Sequence, residues 1–378
     1  KAVLVGEGQN LPKDSFRAPI FGLAKEKNSN VDFTLNDKDF GLILFTSGTT
    51  GNPKGVVHTK SSIEAKISLN LESFGKAVFE RSLCVLSSHF VAGLFSNILT
   101  PLAAGGEVFL FPDPGVKGTS MIGELIDANR ITMINTVPSL WNIILKSSSP
   151  PKGSSLKFIS IVSAPLEPKT KEGIVSWVGT DKVHNLYGTT ETGGWNTGLS
   201  GTVLGGQAAL LDGKGEVNQA GTGELLIKTS ACMSGYFHRP DLTEEAFKEG
   251  WFKTGDLANI DKEGLITIVG RVKTQINRAG IKIIPEEVEA LLLQYPEVSG
   301  ACVFAYPDEI TGEGVAAVLE LETDKNIDFS SLRIWCKSRI RAVSIPERWF
   351  KVNALPRTQS GKIDRREITT RFSEKKEF

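Results

Sequence analysis

The chain of 378 residues has no excess charge of either sign, because 43 Lys and Arg are balanced by 43 Asp and Glu. Without a net positive field it has little to attract nucleic acid or an anionic membrane surface, so we expect neither as a partner. No apolar run approaches the roughly 18 to 20 residues that span a bilayer. The first residues also lack the charged-then-apolar layout of a signal peptide. These absences predict a cytoplasmic protein.

Cysteine is equally sparse. The four cysteines, Cys84, Cys232, Cys302 and Cys336, lie far apart and form no C-x-x-C pair. This spacing argues against a zinc site and against a disulfide framework, and it predicts reduced, buried thiols.

Strand-like and helix-like segments alternate along the chain, which predicts a layered α/β architecture, and the length allows two or more domains. Ser61 and Glu64 have the spacing of a capping box for a helix running towards Asn70. From about Gly201 the pattern changes to short apolar runs broken by Gly and Asp, which predicts a β-rich part. Pro285 opens a helix with one apolar face, and the last hundred residues resemble a small α+β lobe.

The most informative segment is residues 46–55, TSGTTGNPKG, which follows the apolar run 41–45 directly. It offers four hydroxyls, many backbone N–H donors and the cation of Lys54, a composition suited to holding phosphates. A flexible surface loop is the alternative. A Walker loop is excluded, since Pro53 replaces its second glycine and Gly55 replaces its metal-binding hydroxyl. The segment therefore predicts a nucleotide-phosphate clamp.

This segment resembles the phosphate loop of the AMP-forming adenylating superfamily, which includes acyl- and aryl-CoA synthetases, adenylation domains of peptide synthetases, and luciferases. Further segments resemble the other family motifs in the same order: the adenine and metal motif at 185–191, the ribose motif at 252–256, the hinge region from 270 to 289, and the catalytic-lysine loop at 356–363.

The resemblance implies a large ATP- and acid-binding domain over 1–272, with a β-rich subdomain at 201–270. A mobile α+β C-terminal domain would follow at 273–378, with Lys273 as the hinge. Only 45 residues precede Thr46, fewer than family members have before this loop. We therefore expect that the N-terminal part of the family domain is missing from this chain.

The resemblance also assigns the nucleotide site. The phosphate-binding residues would be Thr46, Ser47, Gly48, Thr49, Thr50, Gly51 and Lys54. The adenine side would be formed by Ser163, Ala164, Pro165, Asn185, Leu186, Tyr187, Gly188 and Thr189. Asp256 would accept hydrogen bonds from the ribose hydroxyls, helped by Arg271. Without the family, Tyr187 would be taken as a core aromatic and Asp256 as a turn residue.

Charge neutralisation and positioning are the main needs of adenylyl transfer. Glu191, next to Thr190, is the predicted Mg²⁺ ligand, because Mg²⁺ prefers one or two carboxylates with phosphate oxygens and water. Thr190, Glu191 and Lys362 are predicted catalytic residues, and the resemblance implies that the Lys362 loop swings into the site. The alternatives are a solvated turn for Glu191 and a surface charge for Lys362.

The acid and its acceptor are predicted from fewer residues. No aspartate stands at 87–93 to pair with an ammonium group, so amino-acid substrates are disfavoured. His89 and Phe90 resemble the pair that lines and gates the acid pocket in CoA synthetases, with Gly188 beside it and His89 also catalytic. A satisfied core histidine is the alternative. Gly280 resembles the glycine along which the CoA pantetheine passes.

These features predict an AMP-forming carboxylic acid–CoA ligase that uses ATP, Mg²⁺ and CoA. An adenylation protein that loads the phosphopantetheine of a carrier protein is one alternative. A nucleotide-binding protein without ligase activity is the other. The expected partners are small molecules, and the oligomeric state is left open.

Overall fold

A computed structural model of the chain describes residues 2–4, 17–18, 40–46, 54–88, 90–111, 118–153, 155–198, 201–321, 327–358 and 363–373. The chain forms two compact units. The first comprises Lys1–Ala208 and Leu226–Lys253, and the second Ala209–Leu225 and Thr254–Phe378. The predicted domain limits at 272/273 and 201–270 stay predictions.

The strands of the first unit are β1 (Ala2–Leu4), β2 (Arg17–Ala18), β3 (Phe40–Thr46), β4 (Lys54–Thr59), β5 (Arg81–Cys84), β6 (Glu107–Leu110), β7 (Met133–Thr136), β8 (Phe158–Ile161), β9 (Val183–Asn185), β10 (Gly188–Thr189), β11 (Gly194–Trp195), β15 (Gly235–Tyr236) and β16 (Phe247–Lys248). Three strands contain residues of both units: β12 (Gly206–Leu211), β14 (Gly221–Thr229) and β17 (Trp251–Ile260).

The helices of the first unit are α1 (Lys60–Phe74), α2 (Thr100–Ala103), α3 (Ile122–Ala128), α4 (Pro138–Ser147), α5 (Pro168–Val178) and α6 (Pro240–Ala246). Lys76–Glu80 and Thr190–Thr192 form 3₁₀ turns, and Ala92–Leu99 is π-helical. Proline at the first turn favours the starts of α4, α5 and α6. The cap of α1 is Thr59, whose hydroxyl accepts from the backbone N–H of Ser62 at 3.2 Å, so the predicted cap at Ser61 is wrong.

A seven-stranded sheet in the order β2-β1-β6-β5-β7-β8-β9 forms the centre of the first unit. Its strands from β6 to β9 pair in parallel, and β7 and β8 are buried along their whole length, as expected for a sheet covered on both faces. The chain order reverses at β5, which lies between β6 and β7. Ligands of such sheets bind beyond the carboxyl ends of the strands near such a reversal.

The core of the first unit lies on the faces of this sheet. Ile134 and Ile159 pack with Trp141 of α4 and Trp177 of α5, whose rings meet edge to face. A second cluster includes Phe158 and Trp195. All four cysteines are free, and all except the partly exposed Cys232 are buried.

The second unit adds the strands β13 (Val217–Asn218), β18 (Ile266–Arg271), β19 (Ile276–Arg278), β20 (Ile281–Ile283), β21 (Val298–Asp308), β22 (Gly312–Leu321) and β23 (Arg348–Val352), with the helices α7 (Pro285–Leu292), α8 (Phe329–Lys337) and α9 (Arg365–Phe372). Strands β21 and β22 are antiparallel, and β22 and β23 are parallel. Val288 and Leu292 of α7 pack into the core with Trp349. This mixed architecture confirms the predicted α/β class.

No helix within the described residues is long and apolar enough to cross a membrane.

Candidate active site

The two ends of the phosphate segment are held in register by the hairpin of β3 and β4. Thr46 pairs with Lys54, and its hydroxyl lies 3.5 Å from the Lys54 carbonyl oxygen. The Lys54 ammonium lies 4.9 Å from the centre of the Tyr236 ring, a cation–π distance. The predicted residues Ser47, Gly48, Thr49, Thr50 and Gly51 lie outside the described residues, as do His89 and Lys362.

Glu191 lies in the turn Thr190–Thr192 between β10 and β11. These strands pair Gly188 with Trp195 and Thr189 with Gly194. A Cβ on Gly188 would lie 2.1 Å from the carbonyl oxygen of Gly194, so only glycine permits this close approach of the two backbones. The predicted metal motif is therefore a tight backbone hairpin with Glu191 near its tip.

Three bonds from other segments fix this turn. The Tyr236 hydroxyl donates to Glu191 Oε1 at 2.9 Å, and the backbone N–H of Met233 donates to the Glu191 carbonyl at 2.7 Å. His58 Nε2 lies 2.9 Å from the Thr190 carbonyl oxygen. Since a carbonyl can only accept, Nε2 bears the proton. Burial lowers the pKa of His58, which keeps the ring neutral at pH 7.

On the predicted adenine side, Asn185 ties the ends of two parallel strands together. Its side-chain amide donates to the carbonyls of Ile161 at 3.0 Å and Ala164 at 3.1 Å, and its oxygen accepts from the N–H of Leu166 at 3.2 Å. The turn begins at Ser163 with a φ of 76°, a value uncommon outside glycine. Asn185 therefore shapes the turn that contains Ser163, Ala164 and Pro165.

Tyr187 is half-buried and joined to the next segment through its backbone. Its N–H donates to the Thr197 hydroxyl at 3.1 Å, and its carbonyl accepts from the N–H of Asn196 at 2.7 Å. Leu186 is buried in the core. Phe90, from the predicted acid gate, is half-buried and lies two residues before the π-helical segment Ala92–Leu99.

In the second unit, Asp256 and Arg271 stand directly opposite each other on β17 and β18. Arg271 Nε donates to Asp256 Oδ1 at 2.6 Å. Asp256 is only 6% exposed, whereas the Arg271 side chain is 48% exposed. The ion pair therefore fixes the buried carboxylate of Asp256 beside the guanidinium of Arg271, which solvent can reach.

The family model described as AMP-binding enzyme matches residues 8–237, and the model described as AMP-binding enzyme C-terminal domain matches residues 287–362. The chain belongs to the AMP-forming adenylating superfamily. The predicted resemblance is thereby confirmed.

Relatives of this adenylating enzyme include the probable CoA ligase CCL9 of Humulus lupulus, 32% identical over 357 residues, with 90% of this chain and 68% of the relative covered. The oxalate–CoA ligase of Arabidopsis thaliana is 32% identical over 364 residues, covering 92% of this chain and 70% of that protein. The solved structure of ATP-bound MatB from Rhodopseudomonas palustris superposes with a TM-score of 0.82 at 25% sequence identity. The match covers 90% of this chain and 69% of the MatB chain. The chain thus spans about two thirds of the length of these relatives.

Two further predicted residues of the adenylating enzyme lie in turns of the second unit. Lys273 is exposed in the turn Val272–Thr274. Gly280 has a φ of 83°, and among the described residues no atom lies within 4 Å of where its Cβ would be. The surface over Gly280 is therefore open.

Glu191 is the acidic side chain that this turn offers to a metal ion. In the part of the chain that the structure describes, no group of three or more His, Cys, Asp or Glu residues could hold an ion. One carboxylate oxygen of Glu191 accepts the hydrogen bond from Tyr236. A single carboxylate suits a magnesium ion whose remaining ligands are phosphate oxygens and water.

The motifs did not indicate Tyr236, His58 or the buried Lys66, whose ammonium donates to the Trp195 carbonyl. In the first unit the structure brings Lys54, Tyr236 and Glu191 together, and in the second it pairs Asp256 with Arg271. Lys66 is spaced four residues from Ser62, which places both on one side of α1. His58 lies before the helix, in β4, and no motif or spacing in the sequence indicates His58 or Tyr236.

Proposed function

We propose that the chain is an AMP-forming carboxylic acid–CoA ligase. In the first half-reaction the acid carboxylate attacks the α-phosphorus of ATP, and pyrophosphate leaves. In the second, the CoA sulfur attacks the acyl carbonyl, and AMP leaves. The observation that most supports this proposal is the joint placement of Lys54 and Glu191 on Tyr236, within a chain whose relatives are named CoA ligases.

Lys54, Thr46 and the rest of the phosphate segment would hold the β- and γ-phosphates until they leave as pyrophosphate. Glu191 would hold Mg²⁺, which neutralises phosphate charge when it is bound. Thr190 directly precedes Glu191 in the turn Thr190–Thr192, which His58 fixes through the Thr190 carbonyl. Such fixed donors and charges lower the barrier because they need no reorganisation during the reaction.

Asp256 would accept from the vicinal ribose hydroxyls while Arg271 holds its carboxylate in place. The turn held by Asn185, together with Tyr187, would bind the adenine. His89, Phe90 and Gly188 would line the acid end, and Lys362 would stabilise the charge that develops between carboxylate and α-phosphate. These assignments follow the family motifs.

Gly280 would lie along the path of pantetheine, and Lys273 would be the pivot between an adenylating and a thioester-forming arrangement. CoA is favoured over a carrier protein as acceptor because the named relatives are CoA ligases. No comparison favours a nucleotide-binding protein without ligase activity. The reaction uses small soluble reactants, in keeping with the proposed cytoplasmic location.

The test is ATP–pyrophosphate exchange with a panel of carboxylic acids, followed by thioester formation on free CoA. We expect acid-dependent exchange, and thioester only when CoA is added. Glu191→Gln should abolish exchange, whereas Glu216→Gln, at an exposed position, should not. Exchange without thioester on free CoA would favour the carrier-protein reaction. ATP binding without exchange for any acid would exclude a ligase.

A further inference from the structure

An ionic cluster in the second unit lies outside the residues assigned so far. Arg365, the first residue of α9, donates to both carboxylate oxygens of Glu289 on α7, at 2.6 and 3.0 Å. The same guanidinium donates to the Val303 carbonyl of β21, and Glu289 accepts from the Val303 N–H at 2.6 Å. The Glu289 side chain is only 13% exposed. The start of α9 is therefore fixed to both α7 and the sheet.

Arg365 stands at the base of the catalytic-lysine segment 356–363. An antiparallel bridge pairs Arg357 with Ile363, so the two ends of this segment are held together. Lys362 directly precedes Ile363, and Arg365 follows two positions later. The ion pair of Arg365 therefore fixes the base of the lysine segment to α7.

The cluster also reaches the predicted hinge turn. Glu286 Oε1, on α7, accepts from the hydroxyl of Thr274, which directly follows Lys273, at 3.0 Å and lies 3.5 Å from Arg365 Nη2. Glu286 Oε2 is buried without a hydrogen-bond partner in the described part of the chain, and a Cβ on Gly270 would lie 2.8 Å from it. Burial raises the pKa of Glu286. This carboxylate is therefore held against the hinge at an electrostatic cost.

Stability alone does not explain these charges. Replacing a buried ion pair by apolar side chains of similar volume is often neutral or stabilising, whereas a bidentate carboxylate–guanidinium pair provides a fixed geometry. The turn that contains Gly280 is held by a different bond, from the Ala279 N–H to the Thr311 carbonyl at 2.9 Å. The ionic cluster thus joins the hinge turn to the lysine segment.

We propose that Glu286, Glu289 and Arg365, together the hinge link, are positioning residues that fix Lys362 relative to the pivot. This inference rests on the proposed ligase function. Adenylation depends on exact placement of the groups around the reacting atoms, and a displacement of about 1 Å can cost roughly 100-fold in rate. The reaction of acyl-AMP with CoA does not use Lys362 in the proposed mechanism. The hinge link should therefore affect the first half-reaction alone.

Thr274→Val tests the link at the hinge, because valine has nearly the shape of threonine and lacks the hydroxyl. We expect kcat of ATP–pyrophosphate exchange to fall by roughly 10-fold and KM for ATP to change by less than about two-fold. The reaction of preformed acyl-AMP with CoA should stay within about two-fold. Thr274→Ser keeps the hydroxyl and should retain the original exchange rate. Thr222→Val is the matched control, since it removes the acceptor of a 2.9 Å bond from Asn259 elsewhere in the second unit.

Glu286→Gln is the second variant. It keeps an acceptor for the Thr274 hydroxyl and removes the charge that faces Arg365, so the same selective loss of exchange is expected. In a Lys362→Ala background, Thr274→Val should have no further effect, because it acts through that lysine. Thermal unfolding checks that each variant is folded.

Three outcomes would overturn the inference: equal losses in both half-reactions, unchanged exchange in both Thr274→Val and Glu286→Gln, or a full additional loss in the Lys362→Ala background. Absence of exchange with every acid in the original chain would instead contradict the ligase function, and the inference with it.

Discussion

The hydroxyl of Tyr236 donates a 2.9 Å hydrogen bond to the carboxylate of Glu191, and the same ring lies 4.9 Å from the ammonium of Lys54. One aromatic side chain therefore contacts the proposed phosphate-binding cation and the proposed magnesium ligand. Tyr236 pairs with Val56 across β15 and β4, so the backbone that follows the phosphate segment also fixes the ring. The spacing between the Lys54 ammonium and the Glu191 carboxylate therefore depends on Tyr236, a residue that belongs to none of the predicted motifs.

Tyr236→Phe tests this dependence. The variant keeps the ring under Lys54 and removes the donor to Glu191, which leaves the carboxylate free to turn. We expect pyrophosphate exchange to fall by roughly 10-fold and its Mg²⁺ requirement to rise, as for loss of one charge-assisted hydrogen bond. Tyr306→Phe is the control, since it removes a 3.0 Å bond to Glu347 in the second unit. Equal Mg²⁺ profiles for the two variants would contradict the assigned role of Tyr236.

Asp256→Asn should weaken nucleotide binding. An amide accepts with only one oxygen and leaves Arg271 without its anionic partner, so the dissociation constant for ATP should rise by roughly 10- to 100-fold. Calorimetric titration measures this constant. Asp261→Asn, in the turn of the same hairpin, is the control and should bind ATP as the original chain does. Unchanged ATP affinity in Asp256→Asn would remove the ribose assignment.

Gly280→Leu should block thioester formation while ATP–pyrophosphate exchange persists, because the new side chain would fill the path of pantetheine. The backbone at Gly280 has a φ of 83°, so strain of roughly 1 to 2 kcal/mol accompanies any side chain there. Gly105→Leu controls for that strain, since Gly105 has a φ of 81° and likewise no neighbour within 4 Å among the described residues. Normal thioester formation by Gly280→Leu would refute the acceptor path.

Lys273→Pro should separate the two half-reactions. Proline fixes φ near −65°, so a pivot at this exposed turn would be trapped in one arrangement. We expect one half-reaction to persist and the other to fall by orders of magnitude. Lys262→Pro is the control, because it occupies the second position of the turn closed by the Gly264 to Asp261 bond, where proline is favoured. Small, equal losses in both steps would place the pivot elsewhere.

The burial of Lys66 makes stability depend on pH. Its pKa falls from 10.5 to about 7 on folding, so between these values the unfolded chain binds the extra proton and stability rises with pH. The difference corresponds to roughly 5 kcal/mol. Lys66→Met lacks this dependence. Its advantage in unfolding free energy over the original chain should be largest below pH 7 and shrink towards pH 10.5, as measured by urea unfolding. A constant difference would show that Lys66 is charged or neutral throughout.

Local pattern was enough to predict several elements but not every boundary. The helix at Pro285, with Val288 and Leu292 facing the core, follows from periodicity and is confirmed. The predicted start of α1 is wrong. Ser61 and Thr59 both have hydroxyls that can cap a helix, but Thr59 is the cap because its backbone is extended at the end of β4. The spacing of Ser61 and Glu64 in the sequence carries no information about where β4 ends.

The candidate site likewise contains some residues that the sequence predicts and others that it does not. Motifs indicate groups close together in sequence, such as Thr190 and Glu191. The bonds that fix this pair come from Tyr236, 45 positions from Glu191, and from His58, 132 positions from Thr190. Such partners are brought close by tertiary folding, and their residue types are common in cores. The assignment of ribose, hinge and lysine-loop residues stays a prediction from the family.

The π-helical segment Ala92–Leu99 has a consequence for how the side chains buried against α1 are positioned. Its turns hold more residues than α-helical turns do, so deleting one residue would tighten it and rotate the following side chains by about 100° around the axis. The Ser96 hydroxyl, which is buried 4.0 Å from where a Cβ on Gly194 would lie, would then leave that position while α1 and the hairpin of β10 and β11 stayed in place. Segment length is therefore a means of repositioning these buried side chains that is independent of residue identity.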